Sequence, residues 1–507
     1  MKKATVTVLI IALLLASFSA YTISAQAETY SGTCASGLRW SLDTNTRTLT
    51  ITGKGAMNDY STSSGSTVNT LAPWYQYRDK ILTVILPSGM TRIGNYAFYN
   101  CTNLTNIEIL ENITDIGTSA FRGCSSLKSI TIPKSVTAIK GSTFYGCTLL
   151  NDVNLPNTLV SIEDYAFCWC SSLVAVELPD SVEHIGAQAF SSCNSLTNIA
   201  LGENTVKIEA GNFSNENLVF NEYKNGLYLG TLTNPYHAFI KPISSDITEL
   251  ELHEDTKTVS FAACENCKNL IIISFNEDLQ AINNNAFNGC TSLETAKLPQ
   301  NLIYLGLNAF CDCHALSEIS IPINIKTIPA YAFRNCYEIR EIAIPNTIET
   351  IGSGAFYGCS NLSEVYIGSR VTTIENSAFG ATKISDLYIP KNVVTIGREL
   401  ISDNIGVMEI YCEVGSKPSG WDDWWILQGN SNVHWGANEN FAKADINGNG
   451  AFDSSDLITA CQIDCGIYDV SSATKFKLDV DNDGVFSSSD LIILCQYDAG
   501  IIPSLPD

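Results

Sequence analysis

The chain has 507 residues, 45% of them hydrophobic and 16% charged, with a formal net charge of −23. That much apolar material supports a large packed core or a long repeat array. The acidity argues against a nucleic-acid phosphate backbone or an anionic membrane as the main partner.

The N-terminus reads "MKKATVTVLIIALLLASFSAYTISAQAE". Lys2 and Lys3 form a basic region, Thr5 to Phe18 an apolar stretch, and "AQA" at 25–27 a small-x-small cleavage site. The pattern predicts a secretory signal peptide over 1–27. The apolar run is shorter than the ~20 residues a spanning helix needs. No later segment is apolar enough to span a bilayer, so the mature protein is expected to be exported.

Residues 81–405 are dominated by a 23-residue repeat. "LKSITIPKSVTAIKGSTFYGCTL" begins at Leu127, "LNDVNLPNTLVSIEDYAFCWCSS" at Leu150 and "LVAVELPDSVEHIGAQAFSSCNS" at Leu173. About thirteen copies run from Ile81 to Gly202 and from Ile247 to Ile405. The alternation in "L-x-x-I-x-L-P" predicts one short strand per copy, ended by Pro, which cannot donate to a continuing ladder. "V-x-x-I-x-x-x-A-F" adds a second set of apolar contacts. One copy cannot bury its own apolar side, whereas stacked copies share a core. Cys101, Cys124, Cys147, Cys170 and Cys193, then Cys267, Cys290, Cys313, Cys336 and Cys359, recur every 23 residues within each group. In parallel copies their Cβ vectors point the same way, which disfavours disulfides. They are expected to form a column of small buried residues.

Residues 212–246 interrupt the period. "NGLYLGTLTNPYHAFIKP" predicts two strands around the Asn234–Pro235 turn, with Tyr236 and Phe239 packing them down. A binding loop and a structural bulge are both compatible with it.

The copies resemble the leucine-rich repeats of BspA-type bacterial surface proteins. "SGTCASGLRWSLDTNTRTLTITGKGAM" at 31–57, with Trp74 after it, is similar to the N-terminal β-rich cap of such arrays, here 28–80. "IYCEVGSKPSGWDDWW" at 410–425 and "VHWG" at 433–436 resemble their closing segment, here 406–440 with a short linker. The resemblance implies a β-rich solenoid of short parallel strands that binds something, and identifies no catalytic residue.

The tail, 441–507, holds eleven Asp, no Glu and three Lys, a net of −8. "DINGNGAFDSSD" at 445–456 and "DVDNDGVFSSSD" at 479–490 share calcium-loop spacing. Places 1, 3, 5, 9 and 12 hold Asp445, Asn447, Asn449, Asp453 and Asp456, then Asp479, Asp481, Asp483, Ser487 and Asp490. Gly450 and Gly484 take the sharp turn at place 6, and Ala451 and Val485 offer the backbone carbonyl at place 7. Asp replaces the usual Glu at place 12 in both loops. Alternate oxygens in a tight turn suit a hard cation, so two calcium ions are expected. Phe452 and Phe486 are expected to pack the loops together. After each loop the pattern turns helical, with Leu457, Ile458 and Cys461, and Leu491, Ile492 and Cys495, on the apolar face.

This duplicated loop–helix unit resembles a type I dockerin, a small all-α module of paired half EF-hands that docks proteins onto cohesin modules of a cellulosome scaffold. The resemblance implies calcium-dependent folding and a cohesin partner. It places the contacts at Ser454, Ser455, Cys461 and Gln462, and at Ser488, Ser489, Cys495 and Gln496. Because the halves match, it also implies two binding orientations related by a half turn.

Catalysis is not expected. No segment of ~150 residues outside the repeats, caps and tail remains for a catalytic domain. His184, His237, His253, His314 and His434 are scattered. "CDCH" at 311–314 has no second Cys-x-x-Cys nearby to complete a metal site. The third place of the repeat strand is acidic at Asp152, Glu249, Glu318, Glu341, Glu364 and Asp386. The last four come from consecutive copies and are expected to stack as an exposed column. Such a column keeps an array soluble, or it meets a basic protein. Tyr366 and Tyr388, one copy apart, could stack on sugar rings. The expected function is therefore a non-catalytic accessory protein, docked by its tail, whose array recognises a protein or carbohydrate surface. The alternatives are a free surface adhesin and a component of polysaccharide degradation.

Overall fold

The computed structural model describes residues 28–62, 71–404, 407–426, 431–437, 454–464, 478, 480 and 488–498. The signal peptide expected over 1–27 and most of the two calcium loops lie outside these. The chain divides into two compact units, one of Met1–Val136 with Thr143–Asn154, the other of Thr137–Ser142 with Leu155–Asp507.

The first unit opens with an antiparallel meander of β1 (Thr29–Ala35), β2 (Leu38–Asp43) and β3 (Thr48–Ala56). Gly37, at φ +85, makes the first turn, where a Cβ would lie 2.8 Å from the Lys54 carbonyl oxygen. The first half of β3 pairs in parallel with β4 (Thr83–Ile85) and its second half with β5 (Gly89–Ile93). One strand thereby supplies the first rung of two stacks. Trp74, fully buried, donates from Nε1 to the Ala97 carbonyl at 2.9 Å and stacks on Phe98. Phe98, Phe121 and Phe144 continue that file at centroid spacings of 5.3 and 5.5 Å.

In the second unit each regular coil contributes two short strands to two parallel stacks. One stack runs 138–139, 161–162, 184–185 and 207–208; the other includes Ala175–Glu177 and Asn198–Ala200. The repeat pattern predicts one strand per copy; the second arises where the Ile of "V-x-x-I" pairs in register from coil to coil, as Ile162 does with Ile185. Between the stacks the chain turns through Ala-Phe-x-x-Cys. Phe287, Phe310, Phe333, Phe356 and Phe379 stack at 5.2–5.8 Å with rings within 14° of parallel. Each buried ring contributes about 1.5–3 kcal/mol relative to exposure. The turn is bonded between coils too, since the Phe333 N–H donates to the Ala355 carbonyl at 2.9 Å.

Two residues per turn take the left-handed conformation, one just before Ala-Phe and one just before Cys. They include Tyr331 (φ 58) and Asn335 (φ 58), Asn308 and Asp312, Ala262 and Asn266. Glycine takes the same places in other coils, as at Gly354 and Gly358.

The interruption forms three strands, Asn221–Tyr223, Gly226–Leu229 and Ala238–Pro242. The last two make the hairpin around Asn234–Pro235; the first is an addition, turned back at Lys224–Asn225. Ala238–Pro242 then pairs in parallel with Thr258–Val259, so the insertion also feeds the stack. Phe239 is fully buried and Tyr236 stacks on His253. Side chains seal the earlier run against the later coils. Asn283 donates to the Val206 carbonyl at 3.0 Å and accepts the Ile208 N–H at 3.1 Å, and Thr258 Oγ1 donates to Val206 at 2.7 Å. His237, fully buried, bonds the Thr205 carbonyl through Nε2 at 2.8 Å.

The array closes on tryptophans. Trp421 Nε1 donates to the Val393 carbonyl at 3.0 Å, and the Trp425 carbonyl accepts the Leu400 N–H at 2.8 Å. Both rings are buried. Met408–Cys412 and Ser431–Trp435 add two parallel strands after Asp386–Ile389.

Candidate functional site

The outward face of the last strands is built by period-two alternation. Ile342, Val365, Leu387 and Ile410 point into the core. The residues on either side of each point out. Glu341 pairs in register with Glu364, and Ala343 with Tyr366. In the following sheet Asp386, Glu409 and Asn432 form one row, and Tyr388, Tyr411 and His434 the next. The 364–367 and 386–389 strands lie in neighbouring coils. Glu318 forms a parallel bridge with Thr295, while Asp152 pairs with Ser129 and Glu249 with Ile272. An acidic row thus runs beside an aromatic row.

Like charges in register repel, and the neighbouring side chains answer that. Tyr366 Oη donates to Glu364 Oε2 at 3.3 Å. Burial, with the Glu364 charge beside it, pushes the Tyr366 phenol above its ordinary range. Glu409 takes His434 Nε2 at 2.6 Å and Asn432 Nδ2 at 2.7 Å, which hold its carboxyl below the usual value. The Tyr411 and His434 rings stack on one another at 4.8 Å and 15°. Each ring covers one face of the other. Glu409, Tyr411, Asn432 and His434 extend the rows that sequence analysis began. The signal for the first two was present, because Glu409-Ile-Tyr411 repeats the acid-x-Tyr spacing of Glu364-Val-Tyr366 and Asp386-Leu-Tyr388.

In the tail, helices span Ser454–Asp464 and Ser488–Asp498 and pack on each other. Ala460, Ile463 and Leu494 are buried with Leu478 and Val480, and Leu457, Leu491 and Ile493 pack against them. The apolar face differs from the expected one. Ile458 and Ile492 are 59% and 58% exposed, and Cys461 and Cys495 are exposed as well. The stripe runs at i, i+3 and i+6 from Leu457, with Ala460 small enough for close helix approach, so Ile458 and Cys461 fall on the outer side. Ser488 and Ser489 are exposed, and Gln462 and Gln496 half-buried. Asp490 is fully buried and its Oδ1 accepts the Val480 N–H at 2.8 Å, tying place 12 of the second loop to place 2. Ser454, Ser455 and Asp456 begin the first helix. Asp445, Asn447, Asn449, Ala451, Asp453, Asp479, Asp481, Asp483, Val485 and Ser487 lie outside the described residues, as do Phe452 and Phe486.

Elsewhere, Cys311 and Cys313 of "CDCH" are buried and His314 stacks on Tyr337. Among the described residues no group of three His, Cys, Asp or Glu side chains is arranged to hold a metal.

The BspA-type leucine-rich repeat region, in six copies, matches residues 74–168, 115–229, 235–339 and 280–408. The chain belongs to this family. BspA-type repeats thus account for most of the coils between residues 74 and 408. The chain is similar to a leucine-rich repeat protein from Eubacterium ventriosum, with 23% identity, a TM-score of 0.36 and coverage of 80% of this chain and 99% of that one. It is also similar to a leucine-rich cell surface protein from Faecalibacterium prausnitzii, with 25% identity, a TM-score of 0.27 and coverage of 69% and 92%. A leucine-rich repeat protein from Bacteroides ovatus shares 23% identity, with a TM-score of 0.29 and coverage of 68% and 91%. No curated protein matches the sequence. Among the described residues of this BspA-type chain, no helix is long and apolar enough to cross a membrane.

Proposed function

We propose that this BspA-type protein is an exported, non-catalytic binding protein, docked on a scaffold by a calcium-dependent dockerin at its C-terminus while its repeats engage a second partner. The observation that carries the docking half is the duplication. Two identically spaced oxygen-rich loops each run into a helix, and the helices pack on each other over Ala460, Ile463 and Leu494.

The chemistry of the donor set supports calcium. Its oxygens come from carboxylates, amides, one hydroxyl and backbone carbonyls, as a hard, flexible cation requires. Asp445, Asn447, Asn449, Ala451, Asp453 and Asp456 would hold one ion, and Asp479, Asp481, Asp483, Val485, Ser487 and Asp490 the other. The burial of Asp490 at the end of its loop fits that role. A bound ion would supply folding energy to a small module with few buried side chains. The exposed Ser488, Ser489 and Cys495, with Gln496, and the matching Ser454, Ser455, Cys461 and Gln462 are the proposed cohesin contacts.

The test is recovery of partners from the parent culture on the full-length protein, with calcium and then with chelator. A cohesin-bearing scaffold released by chelator supports the reading. No scaffold under calcium, with the tail helices intact by circular dichroism, removes it. Replacing Ser454 and Ser455 alone should leave binding nearly unchanged, because the second half can take the same place.

For the repeats we propose a basic protein segment as the partner. Its support is the acidic row Glu341, Glu364, Asp386 and Glu409. Without a scaffold, the same face favours the second reading, a free surface adhesin. Reversing Glu364 and Asp386 to Lys should then abolish capture of a lysine-rich peptide and leave the calcium-dependent capture intact.

A further inference from the structure

On the turn side of the coils, away from the strand face, lies a cleft of about 270 Å³ lined by Tyr331, Arg334, Ser353, Gly354, Tyr357, Asn376 and Ser377. Arg334 is the cation in it. Its guanidinium carbon stands 5.7 Å from the Tyr331 ring centroid and 5.6 Å from that of Tyr357. Among the described residues it has no carboxylate partner, in a chain whose net charge is −23. Arg122, in an equivalent turn, lies only 4.0 Å over Tyr145 and so is stacked on its ring. Arg334 is set between two rings without lying closely on either.

The rings are placed by glycines and a hydrogen bond. A Cβ on Gly354 would meet Tyr331 Cδ1 and Cε1 at 2.7 Å, so the Tyr331 ring lies against the bare backbone of the next coil. The Tyr357 ring lies against Gly380 in the same way, with Cδ2 at 2.7 Å from a built Cβ. Tyr357 Oη donates to Asp403 Oδ2 at 3.0 Å, which fixes its rotation. Tyr331 is left-handed at φ 58, a conformation that is costly for a bulky residue and that glycine takes in the next coil. Two carboxylates lie nearby and both are engaged: Asp403 by Tyr357 Oη, and Glu375 by the N–H and Oγ of Ser353 at 3.0 and 2.8 Å. Asn376, on the cleft wall, accepts the Arg398 N–H on its Oδ1 at 2.7 Å.

We propose that this cleft binds a carboxylate-bearing sugar ring, a uronate residue of an acidic polysaccharide. A planar guanidinium fork matches a carboxylate in two parallel hydrogen bonds. Two aromatic flanks at equal distance from the cation suit a ligand whose anionic group is attached directly to a ring with apolar C–H faces. The volume lies just below the ~300–1,000 Å³ of ordinary ligand pockets, which limits the occupant to about one ring. The site shares no residue with the strand face or the tail, so it stands or falls independently of the docking reading.

The experiment is calorimetric titration of the full-length protein at low salt with a trimer of galacturonic acid, a trimer of galactose, and benzoate. The acidic trimer should bind and the neutral one should not. Arg334→Gln should weaken the acidic trimer at least about tenfold, as loss of a bidentate pair does, with the far-ultraviolet spectrum unchanged. Tyr331→Ala should weaken it severalfold, and Tyr357→Phe less. Equal binding of the neutral trimer, benzoate binding as tight as the acidic trimer, an Arg334→Gln effect within twofold, or no heat at millimolar ligand each overturns the proposal. Arg334 and Tyr331 are exposed, so their loss leaves the coil core in place.

Discussion

The thiol of Cys336 donates to the carbonyl oxygen of Phe310, 3.2 Å away in the preceding coil. Cys124 does the same to Phe98, Cys147 to Phe121, Cys193 to Phe167, Cys313 to Phe287 and Cys359 to Phe333, all at 3.1–3.3 Å. The Phe98 oxygen also accepts the Cys101 N–H of its own coil at 3.1 Å, so the Cys124 sulfur fills its second lone pair. The repeat uses cysteine because the place needs a small apolar side chain that is also a weak donor. Cys336→Ala should cost about 1–2 kcal/mol, from the lost bond and the small void. The midpoint of urea unfolding would read it, and a change below about 0.3 kcal/mol would count against the hydrogen bond.

The column should also be chemically quiet. Burial pushes the thiols of Cys101, Cys147, Cys193, Cys290 and Cys359 up to about 12. Reactivity follows the thiolate and its access. Of the described cysteines, Cys461 and Cys495 should react with an aromatic disulfide reagent in minutes under native conditions. The column should react only after denaturation, Cys267 included: its hydrogen bond with Cys264 lowers its thiol pKa, but burial closes it to the reagent. Peptide mapping of the labelled protein decides it, and fast native labelling at Cys313 or Cys336 would contradict the buried column.

The left-handed places make two substitutions of opposite sign. Ala262, at φ 50, occupies a conformation that costs an L-residue roughly 1–2 kcal/mol. Ala262→Gly should therefore raise stability by up to about 1 kcal/mol, after the entropy that glycine adds to the unfolded chain. Gly354→Ala, at φ +57 and against the Tyr331 ring, should lower it by at least about 1–2 kcal/mol. Thermal melting of the two variants side by side checks the pair of signs.

His237 makes the insertion sensitive to acid. Burial lowers its pKa, and Nδ1 is buried without a partner. Glu203, which favours the cation, and Lys257, which opposes it, are the charges that face it. The folded state holds the ring neutral, while the unfolded ring takes a proton near pH 6.5. Its stabilising contribution is full above that pH and falls as the pH drops toward the folded value. Melting temperature should decline from pH 7 to pH 5, and His237→Gln should flatten the decline. An unchanged slope would assign the acid sensitivity to another group.

The period, the core places and the cysteine column were legible because they are one-dimensional, with a single coil's needs repeated every 23 residues. The second strand was not, because two residues such as Ser161-Ile162 become a strand only when a neighbouring coil supplies the ladder. The Asn283 seal depends on residues 75 apart, Ile208 and Asn283, whose meeting no local pattern announces. The helix face was misplaced because Ile458 and Cys461 share an apolar spacing with Leu457 and Ala460, and only packing chooses between the two stripes. The Arg334 cleft draws on three successive coils whose consensus places differ, so the consensus hides it.

A stack of identical rungs has no intrinsic length. Each new coil presents the same ladder and the same Phe ring that recruited it, which is the geometry of a growing fibre. Trp74 on Phe98 in the first unit, and Trp421 and Trp425 in the second, act as the poisoned faces of a crystal. Trp74 holds a neighbouring coil by a ring contact and Trp421 by an indole hydrogen bond, in place of the repeated Phe. The price of a modular binding surface is that its ends must be made from something other than the module.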